Sequence, residues 1–250
     1  MKSLDIVNPE TWPEDVVRLV DGVVSPFIGN ENAVNRISWN IETYDNSDRA
    51  ARLLRKKTRE IVSQTPSFIT YHCCRPLDID CYRKQGLLVR TEERLLDLAS
   101  KWVGDIDDWE SACEKVFSVY RDPHRSGFFK GQAGLSFIPF RHYGEKGCYF
   151  LNDVFAQLGA KGARRRKEIF EKTKPIVLVC ELPLDWVLGP QTEGDLLGNY
   201  VGELLLAIIA SMCGREYSPE NPRAIHLCRD LPPEKIIGIR VMSNNPDNSR

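Results

Sequence analysis

The chain has 250 residues, of which 42% are hydrophobic and 28% charged, and its 34 basic and 35 acidic side chains leave a formal charge of -1. That composition belongs to a folded globular protein, and the near-neutral balance excludes a long-range field that would gather polyanions or anionic membranes over the whole surface. A chain of this length sits at the upper end of what one core organises and buries roughly 70–75% of its extended surface on folding.

The opening stretch, Met1 to Val17, carries an early Lys but no apolar run of the signal-peptide kind, so a cytoplasmic location is expected. The first 65 residues read as helical and peripheral. Val16, Val17, Leu19, Val20 and Val23 form one apolar stripe, and Leu53, Leu54, Ile61 and Val62 another, with turn chemistry between them. Ser67 to Cys74 then alternates aromatic, β-branched and small residues after Pro66, as a strand does.

Leu77 to Gln85 reads as a short helix stopped at Gly86, and Leu87 to Val89 as a return to extended chain. Two amphipathic helices follow, one carrying Leu95, Leu96, Ala99, Trp102 and Val103, the other Trp109, Ala112, Cys113, Val116, Phe117 and Tyr120. Leu135, Phe137 and Phe140 suggest short strands in a Gly-rich, aromatic loop region. Leu151, Val154, Phe155 and Leu158 mark a helix stopped at Gly159. Ile176 to Leu182 is an apolar run fit for a strand buried on both faces. Leu196 to Met212 is a buried helix. Its longest apolar stretch, Leu204 to Cys213, is about half the roughly twenty residues that a membrane span needs, so no membrane association is expected. Ala224 to Cys228 and Ile236 to Met242 supply two more strands, and residues 243–250 read as a disordered tail. The fold class expected is therefore α+β, with a helical extension at 1–65 and the main domain at 66–242.

No phosphate-loop, dinucleotide-glycine, zinc-protease or nucleophile-elbow motif is present. The eight cysteines fall mostly inside apolar patterns and read as buried free thiols. Vicinal Cys73 and Cys74 beside His72 would crowd one edge of a metal, so no metal is expected. The basic run Arg164 to Lys167 reads foremost as a solvated helix face paired with Glu168 and Glu171, a nucleic-acid or pyrophosphate contact being the alternative.

The best-marked local signal is Tyr71-His72-Cys73-Cys74-Arg75-Pro76-Leu77, followed by Ile79, Tyr82 and Gly86-Leu87. It resembles the opening of the ADP-ribosyltransferase superfamily, in which a strand-end His is followed by a short helix and a Gly-Leu pair. The resemblance implies two small packed β-sheets forming a cleft, with NAD as the substrate. His72 would anchor the nicotinamide-side ribose, Tyr71 and Cys74 would stand at the strand end, and Arg75 would face phosphate. A strand histidine held by a backbone partner fits His72 equally well. His142-Tyr143 and Gly147-Cys148-Tyr149 resemble a second stretch of related bacterial proteins, implying that Tyr143 or Tyr149 stacks on nicotinamide; packing at a helix start explains the same residues. Arg223 to Ile236, with its Pro232-Pro233-Glu234 turn, is similar to the late strand of these transferases, but Ala224 stands about where the catalytic Glu opens that strand.

Departure of nicotinamide passes through an oxocarbenium-like centre that needs a carboxylate nearby. Glu216 is the candidate, with Glu220 and Glu203 as alternatives. The resemblance thus implies an enzyme that cleaves the nicotinamide–ribose bond and passes ADP-ribose to a macromolecular acceptor, protein or nucleic acid. A bacterial toxin or defence effector with a neutralising or neighbouring partner protein would fit it. An inactive module that binds NAD, ADP-ribose or a protein is the second reading. A structural partner using Trp12, Trp39 and the Val16 to Val23 stripe is the third.

Overall fold

In the computed structural model, residues 3–45, 47–121, 133–136, 149–188, 195–217 and 224–242 are described. In chain order the helices are α1 (Glu14–Val24), α2 (Glu31–Glu42), α3 (Arg49–Val62), α4 (Asp80–Gln85), α5 (Glu92–Val103), α6 (Trp109–Tyr120), α7 (Tyr149–Gln157), α8 (Gly159–Lys172), α9 (Leu184–Leu188) and α10 (Leu196–Met212). The strands are β1 (Ser67–Cys74), β2 (Ala133–Ser136), β3 (Ile176–Pro183), β4 (Ala224–Leu227) and β5 (Ile236–Val241). The protein is α+β, and no helix among the described residues is long and apolar enough to cross a membrane.

The described strands form one five-stranded sheet in the order β4-β2-β1-β3-β5. β1 and β3, whose runs are the most continuously buried, take interior positions. The five described strands thus lie in a single sheet. β3 pairs antiparallel with β5 from Ile176 opposite Val241 to Cys180 opposite Ile236, with an irregularity between Val179 and Cys180.

Internal contacts divide the chain into two units. The first comprises Met1–Thr70, Ser136–Ile138 and Glu181–Ile225, so the segment expected as an N-terminal extension shares its unit with α9 and α10. The reason lies in α10, which buries twelve of its seventeen residues and so needs apolar cover all round. α1 supplies Val16, Val20 and Val24, α2 supplies Val34, Ile37 and Ile41, and α3 supplies Ala51, Leu54 and Val62. Val16 and Val20 are thus fully committed inside the unit, while Trp39 is 63% exposed. The chain start is fixed to β1: Leu4 donates its N–H to the Ser67 carbonyl at 3.0 Å and accepts from Ile69 at 2.8 Å. The Leu4 carbonyl also accepts the buried Tyr200 hydroxyl at 2.7 Å, and the Tyr200 ring meets Phe68 edge-on at 4.6 Å.

The second unit comprises Tyr71–Leu135, Pro139–Cys180 and His226–Arg250. Its helical core follows the periodicity read in the sequence. Leu95, Ala99, Trp102 and Val103 of α5 meet Ala112, Cys113, Val116 and Phe117 of α6, and Phe150, Leu151, Val154 and Phe155 of α7 with Ile169 of α8 complete the cluster. Phe117 and Phe150 stack with centroids 5.0 Å apart. α8 closes on α7 at Gly162, where a Cβ would stand 2.1 Å from the Phe155 carbonyl oxygen.

One feature of the first unit runs against its own packing. The Thr58 hydroxyl of α3 is fully buried and has no hydrogen-bond partner among the described residues. An orphaned buried hydroxyl costs about 1–3 kcal/mol. Thr58→Val keeps the shape and removes that penalty, so the variant is expected to gain about 1 kcal/mol, read as a raised urea midpoint at unchanged slope.

Candidate functional site

The second unit holds a cavity of about 580 Å³, within the size range of small-molecule sites. It begins where β1 ends. Tyr71 is fully buried and does not line the cavity, whereas His72, Cys73 and Cys74 are half-buried and do.

Arg75 then fixes the exit of the strand. The residue is buried, and its Nη1 donates to the carbonyls of Phe170 at 3.2 Å and Thr173 at 2.6 Å, while the guanidinium lies 4.4 Å from the centre of the Phe170 ring. These carbonyls end α8, where backbone acceptors lack helical partners and a cation is favoured. Arg75 therefore lines the cavity with its main donor already committed to the protein.

Beyond Pro76, the Asp78 carboxylate accepts the Asp80 N–H at 2.9 Å and starts α4. Gly86 ends that helix with φ of +76°, and a Cβ there would stand 2.0 Å from the Leu231 carbonyl oxygen. Only glycine allows both the left-handed turn and the close approach. Leu87 and Leu231 next exchange two backbone hydrogen bonds of 2.8 Å each. The Asp230 carboxylate reaches across this bridge: it accepts the Val89 N–H at 2.8 Å and takes Arg94 bidentately at 2.8 and 3.0 Å, and Arg94 also donates to the Val89 carbonyl at 3.1 Å. Hydrogen bonds from Arg94 hold the Asp230 carboxyl below the usual carboxylate range. The wall formed by Gly86 to Arg90 is thus pinned by the segment 230–231 and runs into α5, whose N-cap Thr91 accepts the Arg94 N–H at 3.2 Å.

α5 forms the inner side with Leu95, Leu98 and Trp102. Trp102 is buried, and its indole N–H has no acceptor among the described residues. Two thiols of the cavity, Cys74 and Cys81, are quiet, as is Cys180 outside its lining. Burial, partly opposed by a hydrogen bond from Tyr82, pushes the Cys74 thiol well above its ordinary range. Cys81 is raised by burial and by Asp78, and on β3 burial lifts Cys180 to about 12. All stay protonated at neutral pH, so none is a ready thiolate nucleophile.

Of the residues singled out in the sequence, His72, Cys74 and Arg75 meet at this cavity. Tyr149 opens α7, and Tyr143 lies outside the described residues, as does Glu220. Glu216 is exposed and belongs to the first unit. Glu203, in that same unit, is 3% exposed and accepts the Tyr217 hydroxyl at 2.7 Å. The basic run of α8 forms ion pairs on the helix face, Arg164 and Arg165 each meeting Glu168 and Arg165 also meeting Asp105. Sequence reasoning missed Arg94, Asp230 and Trp102. Asp230 stands beside the Pro-Pro turn, but nothing local announces a partner 136 positions away.

Fold and site together define an α+β protein with a preformed, cation-lined cavity of ligand size. Comparison with known proteins finds no matching family model, no similar curated protein and no similar solved structure.

Two substitutions test the wall. Gly86→Ala meets both the positive φ and the Leu231 carbonyl, and a loss of about 3 kcal/mol is expected in urea denaturation. Asp230→Asn is expected to lose about 1 kcal/mol at neutral pH, the partly exposed pair being screened. Because the folded-state pKa of Asp230 is depressed, its contribution is in place above the ordinary value of 3.8 and fades as pH falls through the folded value. The gap between wild type and variant should therefore narrow below about pH 4.

Proposed function

We propose that the chain is an ADP-ribosyltransferase-like enzyme with NAD as its substrate. The observation that carries this reading is the junction of two distant stretches that bear the resemblance. Tyr71 to Leu87 and Arg229 to Ile236 are joined by the Leu87–Leu231 hydrogen-bond pair, along the wall of a cavity that His72 also lines.

In this reading His72 anchors the nicotinamide-side ribose, and Tyr149 or Tyr143 stacks on the nicotinamide. The glycosidic bond breaks with its electron pair leaving on nicotinamide. The oxocarbenium-like ribose carbon is then captured by a nucleophile of the macromolecular acceptor, which gives up its proton to a base. Glu216 is assigned the carboxylate role, with Glu203 and Glu220 as alternatives. Arg75, committed to the end of α8, supports the strand end from beneath. The two-sheet cleft of the superfamily belongs to this reading, with the cavity described above as one part of it. A bacterial toxin or defence setting with a neutralising partner protein also belongs to it.

One observation favours a second reading. Ala224, the first residue of β4, occupies about the position at which the superfamily places its catalytic Glu. A module that binds NAD or ADP-ribose without turnover satisfies the same cavity.

Calorimetric titration with NAD, run on wild type and His72→Ala and followed by nicotinamide-release assays on the same samples, separates these outcomes. The proposal expects binding in wild type, at least about tenfold weaker binding in His72→Ala, and release of nicotinamide by wild type alone. Binding without release selects the module. No binding at millimolar NAD overturns both.

A further inference from the structure

The charges around the cavity are unequal: five cationic residues, Arg75, Lys84, Arg90, Arg94 and Lys101, line it against two carboxylates, Asp78 and Asp97. Three of the five are already engaged. Arg75 donates to the end of α8, Arg94 is bidentate on Asp230, and Lys101 pairs with Asp97 at 2.6 Å. Among the described residues Lys84 and Arg90 form neither an ion pair nor a side-chain hydrogen bond. These two are therefore the lining cations whose side-chain donors are uncommitted among the described residues.

Arg90 is also held in place from both sides. The preceding Val89 has its N–H on Asp230 and its carbonyl on Arg94, and the following Thr91 caps α5. A half-buried arginine with no partner on so fixed a backbone is preorganised for an anion, and its planar fork suits phosphate oxygens. Lys84 comes from the last turn of α4, just before the pinned Gly86, and adds a compact second charge.

We infer that Arg90 and Lys84 form the anion subsite of this cavity and hold the phosphate groups of a phosphate-bearing ligand. The phosphate role that the resemblance gives to Arg75 passes to them, because Arg75 Nη1 is engaged by backbone carbonyls at the end of α8. This rests on the cavity being the ligand site, and it deepens the NAD reading by assigning which residues discriminate phosphorylated from unphosphorylated ligands.

The test is calorimetric titration of wild type, Lys84→Gln, Arg90→Gln, the double variant and Arg90→Lys with two probes, NAD and inorganic pyrophosphate, at low and high salt. Unfolding midpoints of all five proteins verify that each is folded. Arg90→Gln is expected to weaken both probes about tenfold and the double variant further, with Arg90→Lys recovering part of the loss and added salt weakening wild type most. Pyrophosphate binding that depends on Arg90, without NAD binding, keeps the anion subsite and overturns the NAD reading. NAD bound equally by wild type and both Gln variants keeps the NAD reading and overturns the subsite. Pyrophosphate bound equally by all five proteins also overturns the subsite, and binding of neither probe overturns both.

Discussion

Between Gly86 and Leu231 the backbone comes closer than any side chain allows, and the cavity takes its shape from that approach. The positive φ of Gly86 turns the chain out of α4, and the two hydrogen bonds between Leu87 and Leu231 then lock residues 86–90 against a segment more than a hundred positions later. Asp230 and Arg94 seal the junction with charge-assisted bonds to each other and to Val89. Each element depends on the next: without glycine the strands of the bridge could not meet, and without the bridge Asp230 could not reach Val89. A second tie, from Arg75 to the last carbonyls of α8, holds the exit of β1, which also lines the cavity.

The two units solve different packing problems. In the first, one helix apolar on every side, α10, demands cover, and the three N-terminal helices provide it with stripes three and four residues apart. In the second, no described helix is apolar all round. α5, α6 and α7 each contribute one face to a shared cluster, and α5 also lines the cavity. The first unit is an arrangement of burial. The second combines burial with a site.

How much of this the sequence discloses depends on range. The faces of α5 and α6 were legible from period 3.6 with acidic first turns, because the pattern is local and repeats. Gly86 was legible as a helix stop, and β3 as a strand buried on both faces, since an apolar run that long has nowhere else to go. The joining of all five strands into one sheet was not, because pairing between distant strands leaves no mark within either. Arg94 and Asp230 escaped for the same reason, each reading alone as a solvated charge. Arg75 was noticed for its position after His72, but only the placement of the α8 terminus reveals what its guanidinium holds.

Leu95 and Trp102 belong at once to the helical core and to the cavity lining, whereas Lys84, Gln85, Leu88 and Arg90 line the cavity without entering that core. Close-packed interiors resist changes of volume, so variation on the α5 side is constrained by the fold itself. On the opposite wall Gly86 and Leu87 are equally fixed by the bridge to Leu231, and it is Lys84, Gln85, Leu88 and Arg90 that carry no such burden. Lineages diverging in what they recognise would therefore be free to rewrite one bank of the pocket while inheriting the other unchanged.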